Sequence, residues 1–132
     1  MRESSDANSR NMYAAASLWH DKTEAWHEVL PGVRRRILAR SLTGIIVLCR
    51  VAPGSVFPSH NHPHAQFGVF LEGGGTFRVG EETWTVKEGD SYFIPPGVNH
   101  ELKTNPDKQT VWIDFFTPDR EDFTNETLPP DN

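Results

Sequence analysis

What most limits the architecture open to this chain is its punctuation. From Val33 onward, short runs of β-branched and aromatic residues are cut by glycine and proline, and apolar residues do not recur at helical spacing. Eight short strands are expected, at 33–40, 45–52, 67–71, 76–79, 83–87, 91–94, 100–103 and 109–116. Two of them, Thr76-Phe77-Arg78-Val79 and Thr83-Trp84-Thr85-Val86, alternate at period two, with Gly80-Glu81-Glu82 as the hairpin between them, so each buries one face only. A helix bundle or a parallel α/β sheet needs a periodicity that is absent. The pattern therefore predicts an all-β sandwich or barrel.

A length of 132 residues suits one domain able to bury a core without disulfides. Residues 1–11 and 124–132 are polar and aperiodic and read as flexible tails, which leaves 12–123 for the barrel and an N-terminal arm. In that arm Trp19 and Trp26 read as packing or subunit-contact residues, and His20 and His27 as surface or packing histidines. A formal charge of -5 argues against a mainly electrostatic hold on nucleic acid or anionic lipid. The one basic cluster, Arg34-Arg35-Arg36, falls in an expected strand and reads as solvated surface, two side chains to one face and one to the other. The longest apolar run, 44–49, is far too short to span a bilayer. A single cysteine, Cys49, lies within it and reads as a small core residue; with no apolar segment after Met1, a reducing, cytoplasmic setting is expected.

Four of the six histidines lie in two places, His60-Asn61-His62-Pro63-His64 and His100. In an extended segment side chains two apart project to the same side, so His60 and His62 can reach one metal ion, with Gln66 further along that side. His64 has the same parity and either competes as a ligand, orients one or lines the pocket. Downstream, Val111-Trp112-Ile113-Asp114-Phe115-Phe116 is a strand with large apolar groups on both faces, so it is expected to be covered on both sides. Asp114 shares its face with Trp112 and Phe116, where desolvation raises a carboxyl pKa toward the range useful in acid–base catalysis. The plain alternative is a structural aspartate paired with an arginine or capping a turn.

The spacing Gly54, five residues, His60, one, His62, three, Gln66, six, Gly73 resembles the first motif of the cupin superfamily, in which glutamate usually stands where this chain has Gln66. Gly89, five residues, Pro95, one, Gly97, two, His100, three, Thr104 resembles the second, with threonine where asparagine is more frequent. The resemblance implies a small single-domain cupin, a jelly-roll-like barrel of two antiparallel sheets, with one divalent metal held by His60, His62, Gln66 and His100. Three nitrogens and a neutral carbonyl leave the full cationic charge on the site, which favours Lewis-acid work and weakens an oxygenase reading. Such a set suits nickel, iron, manganese, cobalt or zinc. Cupins pair through sheet edges, so a homodimer is expected, with the Trp-rich arm as apolar surface.

A narrower likeness lies in His60 to Gln66, in Leu71-Glu72-Gly73 and in the tail Ile113-Asp114-Phe115-Phe116-Thr117-Pro118-Asp119-Arg120-Glu121-Asp122-Phe123. Together with Trp26 to Leu38 these segments resemble the KdgF family of small cupins. That family converts 4,5-unsaturated uronates from pectin or alginate breakdown to the linear ketonised form. The resemblance implies that Asp114 handles the proton, Phe116 packs on the sugar and Arg120 binds a substrate oxygen or carboxylate. Arg120 alternatively pairs with Glu121 or Asp122 in a surface turn. Other metal-dependent cupin chemistry, or a non-catalytic sugar-binding barrel, are the competing expectations.

Overall fold

The computed structural model describes residues 16–21 and 26–123, and within them the chain forms ten strands and no helix. They are β1 (His27–Leu30), β2 (Val33–Ser41), β3 (Gly44–Val51), β4 (Val56–His60), β5 (Ala65–Glu72), β6 (Gly74–Val79), β7 (Glu82–Lys87), β8 (Ser91–Ile94), β9 (His100–Thr104) and β10 (Thr110–Thr117). All pairings are antiparallel, in a six-stranded sheet ordered β1-β2-β3-β10-β5-β8 and a four-stranded sheet ordered β4-β9-β6-β7. The expected all-β, two-sheet cupin architecture is the observed one. The expected tails at 1–11 and 124–132 lie outside the described residues.

Two strands exceed the eight expected, and both are sheet edges. β4 contains Pro58, which cannot donate to a ladder and is tolerated where a strand pairs on one side only. All four residues of β1 are exposed, so it lacks the alternation by which a half-buried strand shows itself. The hairpin of β6 and β7 matches expectation: Phe77, Val79 and Val86 are buried while Thr76, Arg78, Thr83 and Thr85 face out.

The inner faces of the two sheets meet in one core. Val47, Cys49, Phe70, Ile94 and Trp112 come from the larger sheet, and Phe77, Val79, Val86 and Leu102 from the smaller. Aromatic edges lock the sheets together, with Phe70 against Phe77 at 6.2 Å and Phe57 against Trp112 at 5.3 Å between ring centroids.

Two surface expectations change. β10 is not covered on both sides: Phe115 is 38% exposed and aligns across the ladder with Phe67 (46%) and Phe93 (47%), forming an open row of rings on the outer face. The arginine run is not uniformly solvated, because Trp26 covers part of it. Its ring lies 4.9 Å from the Arg36 guanidinium and 5.1 Å from that of Arg50; Arg36 is buried and Arg35 turns to the inner face. The tryptophans of the arm are thus used within the chain, Trp19 against the core and Trp26 against arginines. His20 and His27 are exposed.

Candidate active site

His60 closes β4, His62 lies in the turn beyond it, Gln66 enters β5 and His100 opens β9. The ladder of β4 ends at His60, and His62 lies in the connection that follows. The Gly97 N–H donates to the His62 carbonyl (2.8 Å), tying the glycine of the second motif to the histidine of the first. Gly97 sits at φ +80°, a conformation that a side chain strains.

The three imidazoles are held by a common device. Nδ1–H of His60 donates to the Pro58 carbonyl, that of His62 to the His64 carbonyl and that of His100 to the Val98 carbonyl, at 3.0, 3.0 and 2.9 Å. Each bond leaves Nε2 as the lone-pair nitrogen, and one ligand atom from each ring lies within 4.8 Å of the others. Burial, with Arg120 beside it, lowers the His62 pKa, and burial lowers that of His100 to about 4, so both are neutral near pH 7 and ready to bind a cation.

Two observations fit a metal here. His100 Nε2 is buried without a hydrogen-bond partner. Gln66 Oε1 lies 2.9 Å from His62 Nε2, although the Gln66 amide nitrogen is committed elsewhere and His62 keeps its proton on Nδ1. Two lone pairs therefore face each other, an arrangement that a cation bound to both relieves. The set of three nitrogens and one oxygen matches a divalent transition ion.

Asp114 lies on β10 directly behind this set. Its Oδ1 accepts from Gln66 Nε2 (3.0 Å) and from the Tyr92 hydroxyl, and Oδ2 accepts from Trp112 Nε1 (2.9 Å). Burial pushes the Asp114 pKa up, against the three hydrogen bonds and Arg120, which favour the charged form. Tyr92, whose own pKa burial and Asp114 drive well above the usual range, is a site residue the sequence reading left out. Gly68 makes room for it: a Cβ there would overlap the Tyr92 ring carbon and hydroxyl oxygen, so glycine is what lets Tyr92 reach across β5.

Phe116 stands edge-on to His62, at 5.4 Å, and its ring lies 4.7 Å from the Arg120 guanidinium. Arg120 also stacks on Phe123 (4.4 Å), and its Nε and Nη2 donate to the two Asp122 oxygens at 2.9 and 2.7 Å. Both readings of Arg120 thus hold geometrically: it is paired with Asp122 and it lines the cavity. The segment that carries it is anchored by Arg40. That guanidinium binds both Asp119 oxygens (3.1 and 3.0 Å) and donates to the carbonyls of Arg120 (2.9 Å) and Phe123 (3.1 Å). His64 is not in the three-histidine group: its ring lies 5.7 Å from that of His62, but its Nε2 faces Glu121 at 3.4 Å, and its carbonyl accepts from His62 Nδ1–H.

A cavity of about 340 Å³ opens onto the three imidazoles, Gln66, Tyr92 and Asp114. This is the low end of the small-molecule range of roughly 300–1,000 Å³. Arg34, Arg35, Phe116, Arg120 and Phe123 complete its polar and aromatic wall.

Two facing antiparallel sheets with histidines gathered inside define a cupin, and the chain belongs to the cupin domain family Cupin_2, which residues 47–116 match. Among curated proteins it is similar to the pectin degradation protein KdgF of Dickeya dadantii, with 28% identity over 104 residues, covering 78% of this chain and 94% of that one. Among solved structures, KdgF from Halomonas sp. superposes with a TM-score of 0.75 at 26% identity, covering 82% of this chain and 98% of the other. An RmlC-like cupin from Shewanella frigidimarina gives the same TM-score and identity, with coverages of 83% and 97%.

Proposed function

We propose that this chain is an enzyme that opens the ring of a 4,5-unsaturated uronate monosaccharide, of the kind pectin or alginate breakdown releases, and yields its linear ketone. The observation that carries the reading is the charge pattern of the cavity. Among the described residues Asp114 is its single carboxylate, set against Arg34, Arg35 and Arg120. Such a wall selects a small anion and offers one group for proton transfer. The similarity to KdgF proteins supports the same class of substrate.

In the reaction the anomeric hydroxyl loses its proton and becomes an aldehyde as the bond from C1 to the ring oxygen breaks. The released enol oxygen then becomes a ketone as C4 takes up a proton. One proton leaves and one returns, so no co-reactant is required. Asp114, whose pKa burial raises, holds and returns that proton. Arg120 spends Nε and Nη2 on Asp122 and keeps its Nη1 edge for a substrate carboxylate. Phe116 supplies an apolar floor for the sugar. A divalent ion held by His60, His62, Gln66 and His100 would supply Lewis acidity that stabilises negative charge developing on oxygen.

The test is the loss of ultraviolet absorbance from the conjugated double bond, with metal-replete protein against a no-protein control. Acceleration that disappears in Asp114→Asn is the expected result. No acceleration with either pectin-derived or alginate-derived monosaccharide overturns the proposal. Pairing of two copies and a cytoplasmic setting belong to the same reading; the open row of Phe67, Phe93 and Phe115 offers the surface for pairing, and no helix among the described residues is long and apolar enough to cross a membrane.

A further inference from the structure

The Gln66 side chain bridges the imidazole cluster and the buried carboxylate. Its Nε2 donates to Asp114 Oδ1 at 3.0 Å, and its Oε1 points at His62 Nε2 at 2.9 Å. An amide can be turned end for end at little steric cost, and turned the other way this one would present N–H groups to a cation. What prevents the turn is Asp114, an acceptor-only group when ionised. Asp114 is in turn fixed from its far side, where Trp112 Nε1 and the Tyr92 hydroxyl donate to it.

We propose that Asp114, held by Tyr92 and Trp112, is a positioning residue for the metal set: it fixes the Gln66 amide with its carbonyl toward the imidazoles, and it is the reason an amide rather than a carboxylate stands at 66. A glutamate at 66 would place a second carboxylate oxygen about 3 Å from Asp114 Oδ1, where two buried like charges repel strongly. An asparagine at 114 cannot serve Gln66 and Trp112 together. With its oxygen toward Gln66 its amide meets the Trp112 N–H donor to donor, and with its oxygen toward Trp112 its amide meets Gln66 Nε2 unless Gln66 turns and withdraws its carbonyl. Exchanging the two polarities removes both conflicts. In Gln66→Glu with Asp114→Asn, the asparagine oxygen accepts from Trp112 and its amide donates to the new carboxylate.

The inference rests on the metal reading above and is tested by metal binding rather than turnover. Metal-free wild type, the two single variants and the double variant are titrated with Zn²⁺ by calorimetry, and Co²⁺ absorption spectra report the ligand set. Asp114→Asn is expected to weaken Zn²⁺ binding about 10–100-fold, the usual cost of losing a ligand's orienting partner. Its Co²⁺ spectrum should show a lost ligand. Gln66→Glu is expected to bind no more tightly than wild type despite its added charge, and the double variant to recover to within about threefold of wild type, a strong non-additivity. Gln66→Glu binding Zn²⁺ more tightly than wild type, or an Asp114→Asn Co²⁺ spectrum identical to wild type, overturns the inference even if the double variant fails to fold. Single effects that simply multiply in the double variant overturn it as well. Wild type that takes up no Zn²⁺ overturns the metal reading itself, whereas an intact coupling in a protein inactive on uronates leaves this inference standing and sinks only the substrate.

Discussion

Arg40→Ala should do two separable kinds of damage. The Arg40 and Asp119 side chains are 10% and 8% exposed and meet through two hydrogen bonds, so truncation strands a buried carboxylate. Breaking a buried pair from one side costs about 3–5 kcal/mol. The carbonyls of Arg120 and Phe123 lose donors too, at roughly 1–3 kcal/mol each wherever water does not replace them. The stranded carboxylate dominates, so the global loss should be about 3–5 kcal/mol. Urea unfolding at constant slope measures this. The same change frees the backbone beneath Arg120, and loss of its contact with a substrate carboxylate raises KM about 10–100-fold, from the roughly 1.5–3 kcal/mol of a charged hydrogen bond. Arg40→Met with Asp119→Leu separates the two effects. Replacing both partners with apolar groups should return most of the stability, yet the Arg120 carbonyl remains without its donor and KM stays high. A loss below about 1 kcal/mol in Arg40→Ala, or a double variant that recovers KM along with stability, refutes the anchoring argument.

Gly68→Ala should displace Tyr92 from Asp114, costing about 1–3 kcal/mol as an overpacked site, and lower kcat as Tyr92→Phe does; unchanged kcat in both variants would remove Tyr92 from the site. The metal-free protein should lose stability as pH falls from about 6.5 toward about 4. Over that window the unfolded chain binds a proton at His100 that the folded chain, with a pKa of about 4, does not. His100→Asn should flatten that slope in urea titrations at each pH, and an unchanged slope would assign it to other groups. Phe67→Lys should convert a dimer to a monomer in light scattering, and a wild-type monomer would end the pairing proposal.

The two-sheet fold was legible because glycine, proline and period-two alternation are local signals. The strands that escaped, β1 and β4, are edges, where nothing local demands an apolar face. His60, His62, Gln66, His100, Asp114, Phe116 and Arg120 all come to one cavity. Tyr92 did not announce itself, since its part depends on a glycine on a neighbouring strand and a carboxylate two strands away. Arg40 is similar: its partner is 79 residues downstream, and in the sequence it is one more basic residue in a strand. Arg35 and Arg36 were misjudged because their surroundings are supplied from elsewhere in the chain, Phe123 stacking on one at 3.6 Å and Trp26 on the other.

Charge accounts for much of how these pieces combine. The chain carries a net -5, yet its cavity wall holds three arginines and one carboxylate among the described residues. That carboxylate is enclosed by three donors, while Arg120, which also favours its charged form, pairs through hydrogen bonds with Asp122 from outside the wall. The neutral amide at 66 keeps the ligand set uncharged, so a bound divalent ion would add its whole charge to this wall. On the proposed reading a neutral sugar would gain little from such a cavity, whereas an anionic one would be drawn in by the arginines and would find, in Asp114, a single group whose burial raises its affinity for a proton. On that reading electrostatic selection and proton transfer fall to different residues, with Gln66 between the imidazoles and the carboxylate, its carbonyl toward the one and its amide donating to the other.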